Sequence, residues 1–233
     1  MGVYKIIFGY GLLLAMGMVT PLSGTAQAER WSKAGCPGDN AGVKISVDVD
    51  LGQISYNHSL TKRELASRVR RSRGKTLSAY EQPLGLTVWN SEYALNYLPR
   101  ITQINVREYC AQIDSVSLDL NIKELDVYVV REYPRGSCQY AAVLAHEHDH
   151  VGVARSVLTR YRGYFETQIW SLMDRLRPVI DSSPDRASMV VFRQLEREIK
   201  SLFKQMIGEM KRLNNAIDAP RSYQKLLSLC PQW

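Results

Sequence analysis

The chain has 233 residues, 45% of them hydrophobic and 23% charged, with a formal net charge of +7. That length accommodates a domain with a full core, and that balance of apolar and charged residues excludes wholesale disorder. The positive excess raises nucleic acid, membrane surface and acidic polymer as partner classes, and the N-terminal segment bears on which of them the chain can meet.

Lys5 precedes "IIFGYGLLLAMGMV", an apolar run of 14 residues, and then a polar "TPLSGTAQA" with small residues at Ala26 and Ala28. A positive residue, a short apolar run and small residues in that order make a secretory signal peptide, with cleavage expected near Ala28. The run is short for a bilayer span, so an uncleaved anchor is the weaker reading. The expected product is exported, periplasmic or extracellular. Cys36, Cys110, Cys138 and Cys230 all lie beyond Ala28, and an oxidising compartment makes two disulfides the expectation. The favoured pairing joins Cys110 to Cys138, tying neighbouring strand-rich segments, and Cys36 to Cys230, tying the ends of the mature chain. No CxxC pair occurs, which disfavours cysteine as a metal ligand.

From Val43 to about Tyr133 the pattern is mostly period two. "VKISVDVD", "GQISYNH", "GLTVWNSEYALNYL", "ITQINVREYC", "DSVSLDLNI" and "LDVYVVREY" alternate apolar and polar residues, which predicts five or six strands of a largely antiparallel sheet. One helix interrupts them, starting near Ser59 or Thr61, with Glu64 placed to close a capping box on Thr61. Its segment "TKRELASRVRRSRGK", Thr61 to Lys75, holds much of the positive charge. It reads as a solvated helix face, with an anionic envelope surface as the functional alternative; an exported chain rarely meets nucleic acid, and none is expected.

After "YPRGSC" the period changes. Val143, Glu147, His150, Ala154, Val157, Tyr161, Phe165, Gln168, Leu172 and Leu176 recur every three to four residues, as one face of a helix requires. Only Gly163 interrupts this run before Pro178. "RPVIDSSPDR" then supplies turn residues, and a second helix is predicted from about Arg186 to Ala216. Two long helices in succession predict an antiparallel hairpin. The predicted fold is α+β. Residues 1–28 form the leader, 29–180 a β-rich domain completed by the first long helix, and 181–233 a C-terminal helical extension packed on it.

"LAHEHDHVGVAR" lies inside the first of these helices, so its three histidines are not equivalent. His146 and His150, one turn apart, can reach a single ion, with Glu147 beside the first; together they spell HExxH. Zinc takes neutral imidazoles as ligands and keeps a position for water, whose proton an adjacent carboxylate accepts. The expected roles are Zn2+ ligands for His146 and His150 and general base for Glu147. His148 points away and reads as a bystander.

"HEHDHVGVARSVLTRY", behind a β region and a leader, resembles a family of predicted secreted bacterial zinc-dependent proteases long known only as a domain of unknown function. "ISYNHSLTKREL" and "LGLTVWN" fall within the resemblance, which takes in residues 40 to 175 but not the helical run after Pro184. It implies a β-rich half closed by a charged HExxH helix, and site roles for His146, Glu147 and His150 alone.

The third ligand is open. The metzincin extension needs glycine and histidine at offsets where "HVGVARS" has neither. A gluzincin pattern nominates Glu166 or Asp174. If the helix is continuous, however, Glu166 lies roughly 24 Å beyond His150 along the axis and cannot share its ion. A return helix turning near Asp181 would bring Glu209, Asn214 or Asp218 level with the motif, and His58 is a further candidate. No oxyanion stabiliser can be named, Tyr161 and Tyr164 reading equally well as packing residues. The expected function is a metallopeptidase acting on a peptide or protein substrate. The alternatives are a zinc amide hydrolase of cell-wall material and a noncatalytic metal-binding or partner-binding envelope protein.

Overall fold

The structure is a computed structural model that describes residues 36, 42–73 and 83–233. The expected leader and its cleavage site lie outside the described residues, as do the last two residues of the basic segment. In chain order the elements are β1 (Lys44–Asp50), β2 (Ser55–Asn57), α1 (Lys62–Arg73), β3 (Gly85–Asn105), β4 (Glu108–Val129), α2 (Cys138–Arg175), β5 (Val179–Asp181), α3 (Pro184–Ile217) and α4 (Pro220–Ser228). This is an α+β arrangement, four helices with one five-stranded sheet among the described residues.

The long strand β4 is the spine of the sheet. β3 runs antiparallel to it from Gly85 opposite Val129 to Asn105 opposite Glu108. The other edge of β4 carries β5, β1 and β2 in turn, β5 antiparallel and the other two parallel. The expectation of a largely antiparallel sheet therefore holds for β3 and β5 but not for β1 and β2. Alternation reports that a strand has a buried face; it carries no information about the direction of the neighbour.

Strand number differs from expectation for a definite reason. Along β4, Ala111 and Ile113 are buried, then Val116, Leu118, Leu120 and Ile122, then Leu125, Val127 and Val129. The parity flips twice, and each flip coincides with a register shift against β3, where Asp114 and Lys123 have no opposite number. These are bulges, each of which inserts one residue and re-aims the rest of the strand onto the same face. In the sequence each bulge looks like a strand ending. "ITQINVREYC" errs the other way: it contains the hairpin turn at Val106 and Arg107, held by the Asn105 Oδ1 that accepts from the Arg107 amide at 2.9 Å. That Asx turn lacks the Asn-Gly signature of a short hairpin. β5 and α4 were not expected, being too short to show a period.

α1 starts as predicted: the Thr61 amide donates to Glu64 Oε2 at 2.8 Å and the Glu64 amide donates to Thr61 Oγ1 at 3.2 Å. α2 is capped by Ser137, whose hydroxyl accepts from the Tyr140 amide at 3.1 Å, and runs unbroken for 38 residues through Gly163. α3 is capped by Ser183 with Pro184 in its first turn. α2 and α3 form the expected antiparallel hairpin and cover one face of the sheet. Val116, Leu118 and Leu120 of β4, Val157, Leu158 and Phe165 of α2, and Leu195, Ile199 and Met206 of α3 share one core. A second, smaller core joins Leu65 and Val69 of α1 to Leu86, Val129, Val130 and Val143 beneath the start of α2. No helix among the described residues is long and apolar enough to cross a membrane.

The disulfides correct the expected pairing: Cys36 bonds Cys110, and Cys138 bonds Cys230. Cys110 opens β4 and Cys138 opens α2, with the rest of β4 between them. That path is on the order of 60 Å, far beyond the reach of a disulfide. Cys138 instead meets the tail that follows α4, and so ties the C-terminus to the start of α2. Two disulfides and no free cysteine among the described residues are what an oxidising, exported environment produces.

Candidate metal centre

α2 leaves the end of β4 through the turn at 131–137 and runs back along the sheet, so its first turns lie beside the first residues of β3. α3 then returns antiparallel to it. This register sets Glu209 beside Arg160 and Tyr161, and it sets Asn214 and Asp218 beside His150. Asp218 is the residue that ends α3. Its Oδ1 lies 3.0 Å from His150 Nε2 and 3.4 Å from His146 Nε2, and one ligand atom from each of the three residues falls within 4.8 Å of the others.

These donors fit a small divalent cation. Ligands held tetrahedrally at about 2.1 Å stand about 3.4 Å from one another, so the carboxylate and both imidazoles need little movement to share an ion. Two imidazoles and one carboxylate also match the preferences of a borderline metal. His150 is buried and His146 nearly so, while the Asp218 side chain keeps 34% of its surface exposed. The cluster therefore opens toward solvent on the Asp218 side. Burial disfavours a charged His150, but the Asp218 and Glu147 carboxylates outweigh it and raise the ring's pKa above the ordinary histidine value.

Glu147 faces the sheet rather than α3. Its Oε2 accepts from the Thr87 hydroxyl at 2.8 Å, and that hydroxyl also lies 3.1 Å from the Glu147 carbonyl oxygen. Gly85 makes room for it. A Cβ there would stand 2.7 Å from Val143 Cγ1 and 2.8 Å from Glu147 Cδ, so β3 can lie against α2 at this point only because residue 85 has no side chain. Burial pushes the Glu147 carboxyl above the usual carboxylate range, and the pull of His150, Thr87 and His146 does not restore it.

Of the proposed third ligands, Asp218 joins both motif histidines, Asn214 reaches only His150, at its Nδ1, and the others are not brought to the motif. Glu209 is held by Arg160 at 2.5 Å and by Tyr161 at 2.9 Å, two turns further along the hairpin. Glu166 and Asp174 are exposed on later turns of the unbroken α2. His58 has its Nδ1 3.1 Å from the Val129 carbonyl oxygen and its ring edge-on to Tyr140, as a structural histidine would. His148 is exposed, with Nε2 2.9 Å from the Tyr56 hydroxyl and apart from the cluster. Tyr161 packs against Phe165 and Tyr164.

Sequence reasoning did not find Thr87, Gly85 or Tyr223. Tyr223 lies in α4, five residues past Asp218, and packs on the apolar residues around Ala142 and Val143. Burial first, and then Tyr133, Glu147 and Asp218, push its phenol up to about 12, so it remains a protonated donor. Only the capping segment between two helices delivers it to this side of α2. Comparison with known proteins finds no family, no curated protein and no solved structure that matches the chain, so the donor cluster itself is what speaks for function.

Proposed function

We propose that this protein is an exported zinc-dependent metallopeptidase, released after signal-peptide cleavage near Ala28. The observation that carries the reading is the convergence of three donors, His146, His150 and Asp218, beside the buried carboxyl of Glu147. Among the described residues no fourth histidine, cysteine or carboxylate joins them, and three protein ligands are what a catalytic zinc uses. The bound ion would polarise the scissile carbonyl and acidify water.

The chain's own residues supply the rest. Glu147 takes one proton from the attacking water as its oxygen bonds to the carbonyl carbon. When the C–N bond breaks, Glu147 delivers that proton to the leaving nitrogen, giving a carboxylic acid and an amine. Thr87 holds Glu147 in one rotamer throughout. β3 pairs only with β4 among the described residues, and its outer edge near Thr87 receives an extended substrate segment by strand addition.

The test uses purified mature protein. Zinc is measured by elemental analysis, and cleavage of a peptide and protein panel is compared between wild type and Glu147→Gln. The expected result is one zinc per chain and a rate loss of about 10²- to 10⁴-fold in the variant. Cleavage that survives the substitution sinks the mechanism. Stoichiometric zinc with no cleavage of any substrate, cell-wall peptides included, favours a noncatalytic metal-binding protein, a reading that the close burial of Glu147 also supports.

A further inference from the structure

Asn214 sits on the inward face of α3, one turn before Asp218, on a stripe otherwise built from Leu202, Met206 and Met210. It is buried, and an asparagine there is a weaker helix former than the methionines around it and costs desolvation besides. Packing alone gives no reason for it. Its hydrogen bonds do: the side-chain amide Nδ2 donates to the Met210 carbonyl at 2.8 Å, and Oδ1 faces His150 Nδ1 at 2.8 Å.

The amide cannot be reversed. Turning it over would set Oδ1 against the Met210 carbonyl oxygen, two acceptors with no hydrogen between them. Met210 therefore commits the NH2 group and leaves Oδ1 for the ring. An amide oxygen only accepts, so His150 Nδ1 must carry the hydrogen. With the proton on Nδ1, the lone pair of the neutral ring is on Nε2, which faces Asp218 Oδ1 at 3.0 Å and the Nε2 of His146 beyond it.

We propose that Asn214 is a positioning residue that holds His150 in the Nδ1–H tautomer and so makes Nε2 its metal-binding atom. The proposal rests on the metal-site reading above. Partners of this kind orient a ligating histidine and typically carry 10- to 100-fold in metal affinity. Asn214 accepts without adding charge, so Asp218 remains the one negative group among the three donors.

The test compares wild type, Asn214→Leu and Asn214→Asp as full mature chains. Zinc affinity is measured by competition with a chromophoric chelator, and the ligating nitrogen is identified by 15N NMR of protein loaded with 113Cd. In wild type, cadmium coupling is expected at His150 Nε2, with the proton on Nδ1. Asn214→Leu is expected to bind zinc about 10- to 100-fold more weakly. Asn214→Asp keeps an acceptor facing Nδ1 and is expected to bind within several-fold of wild type. Asn214→Leu suits the apolar stripe, and an unchanged thermal midpoint of its metal-free form separates weak binding from misfolding. If that variant unfolds, the cadmium coupling in wild type still decides the tautomer. Coupling at Nδ1, or zinc binding by Asn214→Leu equal to wild type, overturns the proposal. Failure of wild type to bind zinc at all instead defeats the underlying metal reading.

Discussion

The first turns of α2 bury Glu147 and His150, and the later turns bury Val157, Leu158, Phe165 and Ile169, although both halves lie on the inward face of one unbroken helix. The facing part of α3 divides in the same way, with Asn214 and Asp218 at one end and Leu195, Ile199 and Phe203 toward the other. The apolar half needs no explanation beyond burial, which stabilises by about 25 cal/mol per Å² of apolar surface. The polar half has no such return, because carboxylate, imidazole and amide groups lose hydration when buried. Departures from local packing rules are where functional sites are sought, and here they are confined to one end of one hairpin.

Substitutions at the two ends should therefore behave differently. The largest effect on stability is expected at the apolar end, where Phe165→Ala should cost about 3–5 kcal/mol by denaturant unfolding. Zinc affinity of the folded fraction should stay unchanged; a loss of zinc affinity there would show that the two ends are not independent. Gly85→Ala at the polar end forces a methyl group against Val143 and Glu147 and should cost about 1–3 kcal/mol. It should also lower activity more than stability, because Glu147 must move. Equal loss in both measurements would reduce Gly85 to a packing residue. Glu147→Leu should abolish cleavage yet leave the metal-free protein at least as stable, with a gain of about 0.5–2 kcal/mol. A marked loss of stability would make Glu147 a structural group and remove the contrast.

Gly163→Ala tests the apolar half from its exposed side. A Cβ there meets nothing within 4 Å, so the substitution should stabilise by about 0.5–1 kcal/mol and leave zinc binding untouched. The smallest effect is expected at the turn that joins α2 to α3, where Asp181 Oδ1 accepts from the Ser183 amide and from Arg186. Arg186 first, and Ser183 with it, hold the Asp181 carboxyl below its ordinary value. Its folded pKa thus lies below its unfolded one. The stabilisation is complete above the unfolded value and is lost as pH falls through the folded one. Asp181→Asn should lower the thermal midpoint slightly at neutral and alkaline pH, and the difference from wild type should vanish as pH falls through the folded pKa.

Several of these features were legible in the residues. Thr61 and Glu64 announce α1 because a capping box is local chemistry, and the period from Val143 to Leu176 announces α2 because a buried helix face repeats in register with its turns. HExxH names His146, Glu147 and His150 for the same reason. The strands were legible as extended segments but not as β3 and β4. Bulges at Asp114 and Lys123 flip the alternation without ending the strand, and the Val106 turn reverses the chain without glycine. Cys110 was paired with Cys138 in expectation because proximity in sequence stood in for proximity in space.

By itself the sequence determined the helix that carries HExxH and the two imidazoles it presents on one face; the exclusion of Glu166 as third ligand followed only once α2 ran unbroken through Gly163. Each is a consequence of spacing along one helix. The tertiary structure alone decided that Asp218 rather than Glu209 completes the cluster, that Gly85 and Thr87 seat Glu147, and that Asn214 addresses His150. Those are contacts between elements far apart in the chain, set by the register of α3 on α2 and of β3 beneath it, and no local period encodes that register.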